Sequence, residues 1–162
     1  MGANELRVRP YIAEEKRVDG AVLSFIDVDV LKKREDEIKV EKEKFRTLAE
    51  NSPDIIARFD RNLRFLYVNS AVKEMAVVFP KDFKGKTNEE TDLPKKFAEN
   101  WNQVLQNVIQ TGKVEKGEFE FSILEEKRVY QYVIAPEFSV NGTVETVFSL
   151  IKDISERKKA EV

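Results

Sequence analysis

The sequence predicts an α+β domain: a five-stranded antiparallel sheet with helices on one face. Three observations carry this. The last third of the chain holds three apolar-patterned runs, 118–124, 128–135 and 143–152, in which Phe119/Phe121/Ile123, Tyr130/Tyr132/Ile134 and Val144/Thr146/Phe148/Leu150 alternate with other residues. Earlier, runs 54–59 and 63–68 flank the turn Asp60-Arg61-Asn62. Between the two groups lies a stripe of Phe97, Trp101, Val104, Leu105 and Val108. Alternation places successive side chains on opposite faces of a half-buried strand, and steps of three and four residues mark one face of a helix. Strands, then helices, then strands is the order of an α+β domain.

In chain order, residues 6–12 and 21–26 are strand candidates separated by a turn at Val18-Asp19-Gly20. They are too short to build a core of their own. This piece echoes the carboxyl end: Val18-Asp19-Gly20 resembles Val140-Asn141-Gly142, and 22–27 resembles 147–152. Each copy then enters a charged helix, which points to tandem copies of one module with the first truncated; the alternative is a stray hairpin. Residues 30–51 read as a highly charged helical linker with Leu31, Ile38 and Phe45 seven apart and Leu48 on the same stripe. Arg34 and Glu41 fill the intermediate seam positions, so a coiled-coil dimer and a linker lying on the domain surface both fit. Ser52-Pro53 ends this helix, because the residue before proline avoids the α region.

Asn69-Ser70 offers an N-cap for a short helix over 71–77, followed by loop 79–86. Thr87-Asn88-Glu89-Glu90 fits a capping box. Pro94 suits the first turn of the long helix, where its missing N–H costs nothing, and Gly112 suits its end. Glu125-Glu126-Lys127 and the stretch ending in Asn141-Gly142 link the last three strands, the latter supplying the positive φ of a tight turn. The final strand runs directly into Lys152-Asp153-Ile154-Ser155-Glu156-Arg157, which reads as the start of an exit helix.

Composition restricts the chemistry. The 162 residues suit one domain with appendages, and 11 Phe supply large side chains for a core. With 28 basic and 30 acidic residues, the net charge of −2 gives no electrostatic footprint for nucleic acid. Histidine and cysteine are absent. That removes an imidazole base, a histidine-ligated haem, a thiolate nucleophile or metal site, and cysteinyl-flavin photochemistry. No Gly-rich phosphate loop or recognisable carboxylate pair is present, so no catalytic and no metal-ligating residues are assigned, and a binding or interaction module is favoured. No run is apolar enough to span a bilayer and no secretory pattern appears, so a cytoplasmic home without direct membrane contact is expected.

The residues resemble those of the PAS (sensory box) domain. The resemblance rests on Phe45-Arg46-Thr47-Leu48-Ala49-Glu50-Asn51-Ser52-Pro53-Asp54, on Asp60 before the turn, and on Tyr67-Val68-Asn69-Ser70-Ala71. Gly85-Lys86-Thr87, Thr111-Gly112-Lys113, Asn141-Gly142 and Asp153-Ile154-Ser155-Glu156-Arg157-Lys158 complete an ordered set over roughly 42–158. Leu63 departs from it, since the family often has a turn glycine there. The resemblance implies a PAS-like fold preceded by a helical linker: residues 1–29 as the remnant of a preceding PAS unit, 30–51 as linker and lead-in helix, 52–158 as the PAS domain, and 159–162 as the start of the exit helix. Arg7-Val8-Arg9-Pro10-Tyr11 with Asp19-Gly20 and Phe25-Ile26-Asp27 is similar to the PAS tail of chemotaxis-methyltransferase/PAS hybrids. A larger multi-PAS parent, such as a sensor histidine kinase, is implied.

Carried over by resemblance, the pocket lies between the inner sheet face and the long helix, with walls at Ile56, Phe65, Tyr67, Met75, Phe97, Trp101, Leu105, Phe121, Tyr132 and Phe148. The alternative is that these side chains only fill the core. Tyr67, Tyr130, Tyr132, Gln131, Asn102 and Arg58 are candidates to orient a polar small molecule, and non-covalent flavin remains open; no cofactor is assigned. Asp153, Ile154, Ser155 and Arg157 are the implied signal relay, with the Asp153 carboxylate capping the exit helix or pairing with a cation near the lead-in helix. Leu31, Ile38, Phe45 and Leu48 are the implied self-association stripe. The expected function is a sensory and dimerisation module acting on a downstream output domain; the alternative is a ligand-free structural spacer. An enzyme is the least favoured reading.

Overall fold

The computed structural model describes the backbone of residues 4–12, 18–75 and 80–162, and side chains from residue 27 onward within those segments. The chain forms two units, Met1–Thr47 and Leu48–Val162. In the first, strands β1 (Asn4–Ile12) and β2 (Val18–Asp27) pair antiparallel. The expected turn at Val18-Asp19-Gly20 is instead strand: Val18 pairs with Ile12 and Gly20 with Tyr11. The link between the strands, 13–17, lies outside the described residues.

Helix α1 (Val28–Glu50) follows without a break. Asp27 opens it, its Oδ1 accepting the N–H groups of Asp29 (3.1 Å) and Val30 (3.4 Å), as an N-cap carboxylate does. On α1, Leu31, Ile38 and Leu48 are 48%, 56% and 75% exposed, and Phe45 is 39% exposed.

The second unit holds a five-stranded antiparallel sheet in the order β4-β3-β7-β6-β5. Its strands are β3 (Ile55–Asp60), β4 (Phe65–Val68), β5 (Glu115–Ile123), β6 (Glu126–Phe138) and β7 (Val144–Asp153). The crossover runs through the short helix α2 (Val72–Met75), two 3-10 turns (Pro80–Asp82 and Asn88–Glu90) and helix α3 (Lys95–Thr111). Ala76 and Val77, expected in the short helix, lie outside the described residues. The short element after Thr87 is a single 3-10 turn in which the Thr87 N–H donates to Glu90 Oε2 at 3.0 Å. Glu90 also takes Arg64 Nη1 at 2.8 Å, and these two donors hold its carboxyl below the usual glutamate range.

Turn chemistry sets the strand ends. Asp60 Oδ1 accepts the Asn62 and Arg64 N–H groups (2.8 and 3.0 Å), and this holds Leu63 at φ 61°, where the resemblance expects glycine. Leu124 (φ 48°) and Glu125 (φ 71°) alone link β5 to β6, a two-residue turn with both φ positive, shorter than the expected Glu125-Glu126-Lys127 connection. Helix α3 ends at Gly112, whose φ of 65° is the left-handed cap conformation.

One face of the sheet, with α3, makes the core. Ile55, Ala57 and Phe59 of β3, Tyr130 and Ile134 of β6, and Val147, Ser149 and Ile151 of β7 are buried there with Trp101, Leu105 and Val108 of α3.

Candidate functional site

Strand register decides which predicted side chains face the helix. Phe65, Met75, Phe97, Trp101, Leu105, Phe121 and Tyr132 all belong to, or pack against, the inner core. Ile56, Tyr67 and Phe148 do not line it. Ile56 pairs with Leu150, and Phe148 pairs with Arg58, so both share the outer face; the inner residues of these strands are their neighbours Ile55 and Ala57, and Val147 and Ser149. Tyr67 is displaced by an irregular register. Phe59 pairs with Phe65 but Arg58 pairs with Tyr67, so two residues that regular alternation would put on one face diverge. Tyr67 Oη instead donates to Glu50 Oε1 at 2.7 Å.

The inner residues border two spaces. One is an interior cavity of about 30 Å³ among β3, β7 and the crossover helices, whose lining includes Phe65, Met75, Phe97, Trp101, Asn88 and Ser149. The other is a surface groove of about 460 Å³ between α3 and β5, floored by Phe97, Trp101, Phe119, Phe121 and Tyr132, with Lys96, Glu118 and Glu120 adding charge. Phe97 and Trp101 line both. The two rings are stacked (centroids 5.8 Å, 16° between planes), and Phe119 and Phe121 meet Phe97 at 5.3 and 5.1 Å. Leu105 is fully buried in the core.

Gly117 shapes the groove. It pairs with Tyr132, and a Cβ at Gly117 would stand 2.6 Å from Tyr132 Oη. Only glycine lets that ring lie across β5, a cross-strand aromatic–glycine arrangement. Burial pushes the Tyr132 phenol above its ordinary pKa, with Glu115 adding to the effect. Burial and then Asp153 raise Tyr130, against Arg128. Both phenols stay neutral hydrogen-bonding groups around physiological pH. Of the other polar candidates, Arg58 is engaged on the outer face by Glu137 (2.9 and 2.7 Å). Asn102 accepts from buried Asn88 Nδ2 at 2.8 Å and donates to Glu89 Oε1 at 3.2 Å. Gln131 pairs with Glu118 and Lys152, and so lies on the outer face.

The junction between β7 and helix α4 (Ser155–Ala160) is held from several sides. Asp153 Oδ1 accepts the Ser155 N–H at 2.8 Å, and Oδ2 lies 3.6 Å from Arg128 Nη1. That cation belongs to β6, not to the neighbourhood of the lead-in helix. Ile154 is buried and its N–H donates to Val129 O at 2.8 Å, while the Val129 N–H donates to Ser155 Oγ at 3.0 Å. Lys158 Nζ reaches Glu118 of β5 at 2.8 Å, with Arg157 Nη2 at 3.7 Å.

Sequence reasoning missed Ser149, Gly117 and the full role of Asn69. A serine within a strand reads as solvent-facing, and nothing in the local pattern marks it as core. Asn69 was legible only as a helix cap; its amide in fact binds three backbone groups. Its place at the end of a strand and before a short helix was the available signal.

Residues 49–159 match the family model described as PAS fold. No curated protein sequence matches the chain. Among solved structures, the PAS domain of BvgS from Bordetella pertussis is similar at TM-score 0.64 and 20% identity, covering 74% of this chain and 90% of that one. The VqmA dimer of Vibrio cholerae, studied in the absence of its target DNA, matches at TM-score 0.62 and 20% identity, over 70% of this chain and 52% of its own. The chain thus spans about half the length of that protein. A sensory box sensor histidine kinase of Vibrio cholerae matches at TM-score 0.54 and 15% identity, over 76% of this chain and 98% of that one.

Proposed function

Because the chain belongs to the PAS fold family, we propose that it is a sensory and dimerisation module of a cytoplasmic signal-transduction protein. It relays a ligand or packing change through its exit helix to a downstream output such as a histidine kinase. The module acts by binding rather than by catalysing a reaction. The carrying observation is the β7–α4 junction. The same strand that brings Val147, Ser149 and Ile151 to the core continues directly into Asp153 and the helix. A shift in core packing therefore moves the root of α4, provided that the junction is held, and Asp153, Ile154 and Ser155 hold it.

Asp153→Ala removes the acceptor of the Ser155 N–H at the start of α4 and one cation partner at an exposed site, and should cost about 0.5–2 kcal/mol of folding stability. A change of that size shifts a two-state helix orientation by roughly two- to thirtyfold, since about 1.4 kcal/mol is tenfold. The expected result is a folded variant whose output in the parent protein is altered or locked, measured with and without stimulus. Wild-type signalling beside a lowered melting temperature would leave Asp153 as a structural cap alone.

Self-association is assigned to α1. Its stripe of Leu31 and Ile38, with Phe45 seven residues on, exposes large apolar side chains at the spacing of a coiled-coil seam. Leu31→Glu together with Ile38→Glu should lower the dimer fraction in sedimentation velocity; an unchanged profile would assign the stripe to contacts within one chain. The β1–β2 hairpin, which also runs straight into a charged helix, is read as the closing piece of a preceding PAS unit. Solved structures described as VqmA bound to DPO and as a VqmA–ligand–DNA complex support a ligand-sensing use of this fold. The second reading, a ligand-free spacer, is favoured by one observation: the interior cavity is only about 30 Å³. Native mass spectrometry of protein purified from cells separates the two by the presence or absence of a bound small molecule.

A further inference from the structure

Among the described residues, Ser149 Oγ is the single buried side-chain polar atom without a hydrogen-bond partner. It sits in the middle of β7, with Ala57 of β3 and Ile134 of β6 as its cross-strand neighbours, at 0% exposure. A buried hydroxyl left unpaired destabilises the fold, and alanine at the same place would avoid that penalty. A core that only needs filling has no use for this group. Ser149 lines the interior cavity, and among the described residues of that lining none is charged. Apart from Ser149 and Asn88 the lining is apolar, and it includes a run of rings: those of Phe59 and Phe65 lie 4.4 Å apart, and those of Phe65 and Phe83 lie 5.0 Å apart.

The cavity's 30 Å³ matches two or three water centres, at roughly 10–15 Å³ each. A larger guest needs more room, and the geometry shows where it lies. Phe97, in the first turn of α3 and only partly buried, lines both the cavity and the 460 Å³ groove.

We propose that the cavity binds a compact, neutral aromatic molecule carrying one hydrogen-bonding group, anchored by the Ser149 hydroxyl and admitted from the groove past Phe97. This rests on the sensory reading above and gives its ligand a chemical class. The described lining, which holds no charged residue, disfavours an ion, because a charge taken from water without a partner is strongly destabilised. A purely apolar ring fits the walls but leaves Ser149 as unsatisfied as before.

The test uses the full chain and three probes of similar size: phenol, toluene and benzoate. Each is titrated into the wild type and Ser149→Ala, following Trp101 emission and the amide resonances of Ser149 and Trp101. Ser149→Cys, which keeps the branching with a slightly larger atom and a weaker donor, guards against a packing artefact. The expected result is saturable phenol binding, at least tenfold tighter than toluene, with shifts at both residues and none with benzoate. Ser149→Ala should bring phenol down to the affinity of toluene, leave toluene unchanged and melt no lower than wild type. Ser149→Cys should fall between. Equal phenol affinity in wild type and Ser149→Ala, with shifts at Trp101 but not at residue 149, would overturn the anchor and leave a groove-bound ligand, so that the sensory reading survives. No saturable response to any probe would overturn the proposal and favour the spacer reading as well.

Discussion

Trp101→Ala is expected to lower the unfolding free energy by about 3–5 kcal/mol, the cost of truncating a large buried aromatic. Trp101 is 5% exposed on the inner side of α3. Its ring meets three others: Phe97 in a stack at 5.8 Å, Phe119 edge-on at 5.6 Å and Tyr132 edge-on at 5.2 Å. Such pairs add roughly 0.5–1.5 kcal/mol each beyond burial itself. The loss also has a geometric part, because Trp101 lines both the interior cavity and the outer groove. Removing the indole joins the two, so water reaches side chains that α3 now shields. Urea denaturation of wild type, Trp101→Phe and Trp101→Ala should give a graded loss, with phenylalanine retaining much of the stability. As the chain has one tryptophan, the native protein should emit at short wavelength and shift to the red on unfolding. A solvent-like emission maximum before unfolding would contradict the packing on which this estimate rests.

What the sequence revealed, and what it hid, follows from how strongly each face of an element is marked. Helix α3 was legible because its stripe of Phe97, Trp101, Leu105 and Val108 stands against charged and amide neighbours, with Gly112 at its end. Strand β5 was legible for the same reason: Phe119, Phe121 and Ile123 alternate with Glu118, Glu120 and Ser122. Strand β7 was not. Val147, Phe148, Ser149, Leu150 and Ile151 are apolar on both parities but for the serine, and the larger Phe148 and Leu150 attract the core assignment. The sheet turns them outwards to partly covered positions beside Arg58 and Ile56, and buries Ser149. A two-residue period cannot say which parity is inside when both are apolar; only the pairing with β3 and β6 does. Tyr67 failed for another reason, since a register irregularity has no local sequence mark. The candidate site was therefore legible on its helix side and on β5 and β6, and misassigned where β3, β4 and β7 meet it.

The sheet side of that site is fixed by a residue whose sequence context revealed only part of its role. Asn69 is fully buried, and its side chain is the common partner of three segments. Its Oδ1 accepts the Ile56 N–H of β3 at 2.9 Å, and its Nδ2 donates to Ala49 O at the end of α1 (2.7 Å) and to Asp54 O in the following loop (2.9 Å). The Asn69 N–H donates to Ile56 O at 3.0 Å, which keeps the amide in place. Glu50, one residue beyond Ala49, adds a neighbouring clasp by accepting the Ser70 N–H at 2.9 Å. Asn69→Ala leaves one donor and two acceptors without their partner. At about 1–3 kcal/mol for each buried group left unmade, and with some rescue by water near the loop, a total loss of roughly 3–5 kcal/mol is expected. Asn69→Asp tests the cause. It preserves shape and the acceptor for Ile56, but turns a carboxylate oxygen towards two carbonyls. Burial and those carbonyls favour the protonated acid, so its folded-state pKa is raised above the ordinary aspartate value near about 4. The folded state then binds more protons than the unfolded state, and the deficit relative to wild type should grow as pH rises from about 4. Asn69→Ala should show no such trend. Amide exchange at Ile56 should quicken in the alanine variant and less so in the aspartate one. If Asn69→Ala lay within about 1 kcal/mol of wild type, the three bonds would be contacts of a junction already held by packing.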